Sequence, residues 1–368
     1  MLYPNAPQVS GSGTFTGVRQ GTLLIAHATA KGDYRGGTGR VEVAADGTSG
    51  VPFTLAASAA LSPAVIRIDG HGTIGGVALR LAAAAEIDKV PGGYRLLPAT
   101  IALPNGRIVV SGSNGATTSL AAQLDAVDLG LAEAFKPGLG LGGKVSGTVT
   151  ASLPGGGVPA ANANLTITGF NRAGVTSLSA PVDIAVLAAL SVNGGEAHAL
   201  VRRSSAVLGR LEARLAAIPA TGGAWTDRLI ATPLTGGVRY NGPAELLWAL
   251  GGVGGQALSG PIAVGADFGG HLGAPQVRGL VRGKGLRYEN NIFGTVVDKL
   301  DLDSRFTDTR LEIVGLSGRA GDGGSVSASG YADLAADKGF PIDIRVKLAK
   351  ARLARSRHWT LPCRGRLR

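Results

Sequence analysis

The sequence predicts an all-β fold: many short, mainly antiparallel strands with one or two short helices. Three observations carry this. First, apolar and polar residues alternate with period 2, the signature of a strand with one buried face. In residues 299–306 (KLDLDSRF), Leu300, Leu302 and Phe306 fall on one side and Asp301, Asp303 and Arg305 on the other. Residues 342–348 (IDIRVKL) alternate most cleanly, with Ile342, Ile344, Val346 and Leu348 opposite Asp343, Arg345 and Lys347. Second, 59 glycines against 5% aromatics give many turns and few large core-fillers. Third, Asn-Gly and Asp-Gly dipeptides recur between the alternating runs, where a tight hairpin needs positive φ.

Taken in order, residues 22–28, 40–44 and 51–55 read as strands, with a hairpin at Asp46-Gly47 between the last two. Residues 65–68 and 72–74 repeat the device around Asp69-Gly70. Residues 77–87 (VALRLAAAAEI) combine helix-favouring alanines with alternation of Leu79 and Leu81 about Arg80, and the glycine pairs on both sides favour a strand. Residues 94–103, the Asn105-Gly106 turn, 107–112 and 119–124 resemble residues 310–334 in layout, a weak internal repeat. Residues 125–135 (DAVDLGLAEAF) form the first helix candidate, ended by Lys136-Pro137-Gly138. The ladder resumes over 143–170; residues 182–190 and 197–203 then flank Asn193-Gly194, and 208–217 fits a strand or a helical turn. Residues 243–250 (PAELLWAL) are the second helix candidate, with Pro243 suited to the first helical position and Gly251-Gly252 to stop it. It reads either as a plug over the open side of a sheet or as an ordinary core helix. Asp322-Gly323 marks a turn before the strand over 325–334.

At 368 residues and 45% apolar the chain is long enough for an ample core and too apolar to be disordered. The net charge of +11 is misleading, because nine basic residues and no acid follow Asp343, leaving +2 for the rest. Arg278, Arg282 and Arg287 are separated by glycines without stacking aromatics, so no nucleic-acid partner is expected. The lone cysteine, Cys363, excludes an internal disulfide and a multi-cysteine metal site. No stretch approaches the roughly 20 apolar residues of a membrane helix, and the first ten residues lack a signal-peptide pattern.

Chemistry-bearing motifs are missing. Gly138, Gly140 and Gly143 satisfy G-x-G-x-x-G, but with a helix before and a strand after, the reverse of a dinucleotide site. His27, His71, His198, His271 and His358 are scattered without ligand spacing. Asp301 and Asp303 sit on one strand face roughly 7 Å apart, which suits alternating charges on an outer face better than a cation site. No nucleophile elbow or phosphate loop occurs. The expectation is a non-enzyme with no cofactor and no metal.

A long sheet with one apolar face must cover it, by forming a sandwich, closing into a barrel or curling round an apolar ligand. The order of glycine, proline and leucine positions over residues 269–330, preceded by residues 239–250 (RYNGPAELLWAL) and 256–268 (QALSGPIAVGADF), resembles the TamB family, inner-membrane-anchored subunits of the bacterial translocation and assembly module related to AsmA-like and bridge-like lipid-transfer proteins. The resemblance runs over most of residues 11–355, strongest after Pro137, where a sub-boundary is possible; residues 1–10 are left unassigned and 356–368 form an aberrant basic tail. It implies an elongated, curled, taco-like sheet whose apolar groove shields phospholipid acyl chains in the periplasm. It further implies phospholipid transport between the membranes and outer-membrane protein assembly with the TamA barrel. Because that family carries a membrane anchor and a C-terminal domain not seen here, the chain reads as an internal piece of a longer protein. The groove candidates are the apolar sets of the clearest strands: Ile108, Val110, Leu165, Ile167, Leu300, Leu302, Phe306, Ile342, Ile344, Val346 and Leu348. The alternative is a secreted adhesin-like β-solenoid with a structural or interaction role, which requires a regular coil period that the sequence does not display.

Overall fold

A computed structural model describes residues 8–351 apart from 22, 135–138, 156, 173–179, 252–255, 322 and 335–340, together with 366–367. The chain is all-β, about 77% strand, and every ladder described is antiparallel. It divides into two compact units, residues 1–168 and 169–368.

The first unit is a meander. Its strands are β1 (Gln8–Gln20), β2 (Leu23–Arg35), β3 (Thr38–Ser49), β4 (Val51–Leu61), β5 (Val65–Ile74), β6 (Val77–Leu81), β7 (Ala85–Val90), β8 (Gly93–Leu103), β9 (Gly106–Asn114), β10 (Thr117–Asp128), β11 (Leu141–Pro154) and β12 (Ala160–Arg172) up to Thr168. Each pairs with its sequence neighbour, except that β6 and β7 share one place: β5 pairs with β6 through Ile74↔Val77 and with β7 through Ile68↔Ala85. The alanine-rich stretch is therefore strand, as expected, broken at Ala82–Ala84.

Two expected hairpins are not there. Strand β3 runs straight through Asp46-Gly47 and turns at Gly50, while β5 runs straight through Asp69-Gly70. Both glycines lie close against the neighbouring strand: a Cβ on Gly47 would strike the Leu24 carbonyl oxygen, and one on Gly70 would sit 3.1 Å from the Ala56 carbonyl oxygen. These glycines permit close strand contact instead of reversing the chain. Strand β1 was not foreseen either, since its Gly, Ser and Thr residues do not alternate in polarity; backbone pairing to β2 defines it, and nearly all of it is exposed. The first helix candidate is also corrected. Residues 125–128 continue β10 past a bulge at Ala126, whose φ of 51° shifts the register so that Val127 faces Val145. Only Leu129–Ala134 turns, as a 3-10 helix, and the expected stop at 136–138, with Gly138 of the glycine motif, lies outside the described residues. Leu141–Pro154, holding Gly143, is strand.

The second unit comprises β13 (Val182–Ser191), β14 (Gly194–Arg203), β15 (Ala206–Leu215), α1 (Trp225–Ile230), β16 (Leu234–Pro243), α2 (Ala244–Gly251), β17 (Gln256–Ser259), β18 (Pro261–His271), β19 (Ala274–Asn290), β20 (Thr295–Asp308), β21 (Arg310–Ala320), β22 (Gly324–Asp333), β23 (Ile342–Ala349) and β24 (Arg366–Leu367). Here the Asn193-Gly194 hairpin forms where expected, Ala320 pairs with Gly324 at the start of β22 while Asp322 of the expected turn lies outside the described residues, residues 208–215 are strand, and α2 starts just after Pro243. Helix α1 was not anticipated. It is held by buried Arg228, whose Nη1 donates to the carbonyls of Pro219 (2.9 Å) and Ala220 (2.8 Å).

Candidate functional site

The register sorts the second unit into two chemically distinct faces. One row crosses it as Ile184–Val201–Gly209–Tyr240–Val264–Val281–Ser304–Ile313–Gly330–Ile344. A parallel row runs Gly242–Ile262–Gly283–Leu302–Leu316–Ala328–Val346. A third ends Gly279–Phe306–Leu311–Ala332–Ile342. Almost every member is apolar or glycine. Bulges at Lys299 and at Val314-Gly315 keep this alternation in phase, since without them one strand's apolar set would swap faces.

The opposite face is a ladder of exposed ion pairs: Arg239–Asp267 (2.7 Å), Arg278–Asp308 (3.1 Å), Arg282–Asp303 (3.8 Å), Arg305–Glu312 (2.6 Å) and Arg310–Asp333 (2.6 Å). The Arg305 guanidinium draws the Glu312 carboxyl below the usual range by hydrogen bonding. Asp301 accepts from the Gly285 N–H (2.9 Å). Asp301 and Asp303 are thus both engaged on the polar face. Among the described residues no group of three or more His, Cys, Asp or Glu could hold a metal ion.

Eight of the eleven candidate residues lie on the apolar faces at partial burial, Leu300 is buried at 5% exposure, and Ile342 stands out at 68%. The eleventh, Leu165, is half-buried beside Gly147, where a glycine Cβ would approach the Leu165 Cα at 2.9 Å. In the first unit Ile108 opposes Leu124, which opposes Gly147, so the row Ile108–Leu124–Gly147 leads to Leu165; Val110 continues through Ala122 to Val149. The structure therefore brings Ile108, Val110 and Leu165 to one face in the first unit. Leu300, Leu302, Phe306, Ile344, Val346 and Leu348 share one face in the second, with Ile342 at its rim.

Partial burial is informative. The facing layers of a sandwich would bury these residues almost fully, as Val182, Ala266 and Leu286 are at 1% exposure. The alternation reads half-buried against exposed along β2, β12 and β23, whereas in the middle of the second unit the same rows are closed, with Tyr240, Ile262, Val281, Leu300 and Ser304 all buried. Open depressions of about 400 and 680 Å³ in the second unit, and of about 630 and 280 Å³ in the first, are lined largely by polar-face residues such as Arg210, Arg282, Lys31 and Asp69.

Sequence reasoning missed a polar cluster on the second unit's apolar face. Tyr240 is 6% exposed, its hydroxyl donates to the Pro243 carbonyl (2.7 Å), and burial pushes its phenol up to about 12. Arg203 and Glu245 lie near enough to act on that phenol in opposite directions. Two strands, β14 and β16, and helix α2 supply these groups, so no local pattern announces them. Helix α2 closes over this end of the strands: Ala244 and Leu246 are buried, and Trp248 donates to the Gln256 carbonyl (3.2 Å) while meeting Tyr288 edge-on at 6.4 Å. No helix among the described residues is long and apolar enough to cross a membrane. Comparison with protein-family models, curated proteins and solved structures finds no match.

Proposed function

We propose that this chain is a lipid-shielding module of the TamB kind: in the periplasm, as part of a longer inner-membrane-anchored protein, it covers phospholipid acyl chains on their way between the membranes and assists outer-membrane protein assembly with the TamA barrel. The observation that supports this most is the pairing of a strand-to-strand apolar face, built of Val, Ile, Leu, Ala and Gly and left half-buried over part of its rows, with an opposite face of exposed ion pairs. Shielding an acyl chain is favourable by about 0.8 kcal/mol per CH₂, so continuity of the lining matters more than any single contact. Small residues across the rows leave room that large aromatic rings would fill. A β-solenoid stacks successive coils in parallel; the antiparallel ladders of both units favour the groove reading over that alternative.

A charged residue in the lining tests it. Val346 lies in the row with Leu302, Leu316 and Ala328 and is half-buried. Val346→Asp is expected to leave the far-ultraviolet circular dichroism of the strands intact while abolishing binding of a fluorescent phospholipid. Outright unfolding of this variant would indicate a closed core instead.

A further inference from the structure

At the end of the apolar rows of the second unit stand two side chains of opposite charge, Arg203 and Glu245, each with one buried polar atom that lacks a hydrogen-bond partner among the described residues. Arg203 ends β14 two residues beyond Val201, on the same side, half-buried. The Tyr240 ring lies beside Val201 across Gly209, where a Cβ would sit 3.0 Å from Tyr240 Cδ2 and 3.7 Å from Val201 Cβ. The Tyr240 hydroxyl reaches the start of α2, whose second residue is Glu245. Arg203, Tyr240 and Glu245 thus form one neighbourhood on the rim of the apolar rows. Within it Arg203 Nε and Glu245 Oε2 are shut off from solvent with no hydrogen-bond partner among the described residues.

A buried polar atom left without a partner is costly, and the cost is offset by whatever supplies the missing partner. An uncharged lipid supplies neither partner. An anionic lipid supplies one and meets the Glu245 carboxylate. Only a head group carrying a phosphate and an ammonium complements both.

We propose that Arg203 and Glu245 hold the head group of a zwitterionic phospholipid, the guanidinium taking the phosphate and the carboxylate the ammonium, while the acyl chains lie along the rows from Val201 and Tyr240. This rests on the lipid-shielding reading. Tyr240 acts as a positioning residue, filling the space over Gly209 and fixing the start of α2.

Three lipids with identical chains test it on the full chain: phosphatidylethanolamine, phosphatidylglycerol and diacylglycerol, compared by competition in native mass spectrometry. The wild type is expected to prefer phosphatidylethanolamine to phosphatidylglycerol by about tenfold, the scale of one charge-assisted hydrogen bond, and to bind diacylglycerol more weakly still. Glu245→Gln should erase the first preference while phosphatidylglycerol binding persists. Arg203→Gln should lower both phospholipids to the level of diacylglycerol without lowering the diacylglycerol signal. Free phosphoethanolamine, the head group alone, should compete only weakly; competition equal to the whole lipid's would overturn the placement of the chains. A wild type that binds all three lipids equally, or variants that keep its preferences, would overturn this assignment and leave the shielding reading standing. A wild type that binds none of them would remove both.

Discussion

At the scale of the residue, glycine carries two messages that sequence alone does not separate. Gly330 has φ of 146° and faces the Asp343 carbonyl oxygen and the Ile344 Cα across the ladder, whereas nothing lies within 4 Å of a Cβ on Gly315. Gly330→Ala is therefore expected to lower stability by about 1–3 kcal/mol through overpacking, and Gly315→Ala to stay within about 0.5 kcal/mol, both read from urea midpoints. Asp46-Gly47 and Asp69-Gly70 likewise resemble turns and are strands, while Asn193-Gly194 is a turn with Gly194 at a φ of 117°. In each case the neighbouring strand decides, and it is remote in sequence. Tyr240 yields a second expectation. Burial disfavours its phenolate, so the folded chain keeps that proton from the ordinary value of 10.0 up to about 12. Its contribution to stability is complete below pH 10 and is lost as pH rises towards 12. Followed by ultraviolet absorbance, one of the six tyrosines should ionise last, a step missing from Tyr240→Phe. If that variant keeps the late step, the assignment is wrong.

At the scale of the element, the alternating runs were legible because one strand face meets solvent charge and the other does not. Residues 299–306 and 342–348 fold with the faces their patterns give, and α2 begins after Pro243. What escaped were elements held by something other than side-chain polarity. Strand β1 rests on backbone pairing alone, and α1 is held by the bonds of Arg228 to two carbonyls. The helix expected over residues 125–135 gave way to strand up to Asp128 because Val127 packs opposite Val145 once Ala126 takes the bulge. Helix α2 is anchored chiefly by Leu246, at 3% exposure. Leu246→Ala should destabilise the second unit by about 2–5 kcal/mol, measured by thermal unfolding, and a shift too small to detect would mean that α2 is not packed on the strands.

At the scale of the whole molecule, the all-β class and the existence of an apolar face could be read from the sequence, whereas the polar cluster could not. Arg203, Tyr240 and Glu245 are set side by side only by pairing of β14, β15 and β16 and by the start of α2. The faces also define what must be measured. The half-buried stretches of that apolar lining have to be covered by something, and acyl chains are the proposed cover. The most direct measurement is native mass spectrometry of the full chain purified without detergent. The expected result is stoichiometric co-purifying phospholipid, lost when aspartates replace Leu302 and Val346 in a protein that stays folded. A well-folded wild type carrying no lipid, and taking none up from phospholipid vesicles, would contradict it.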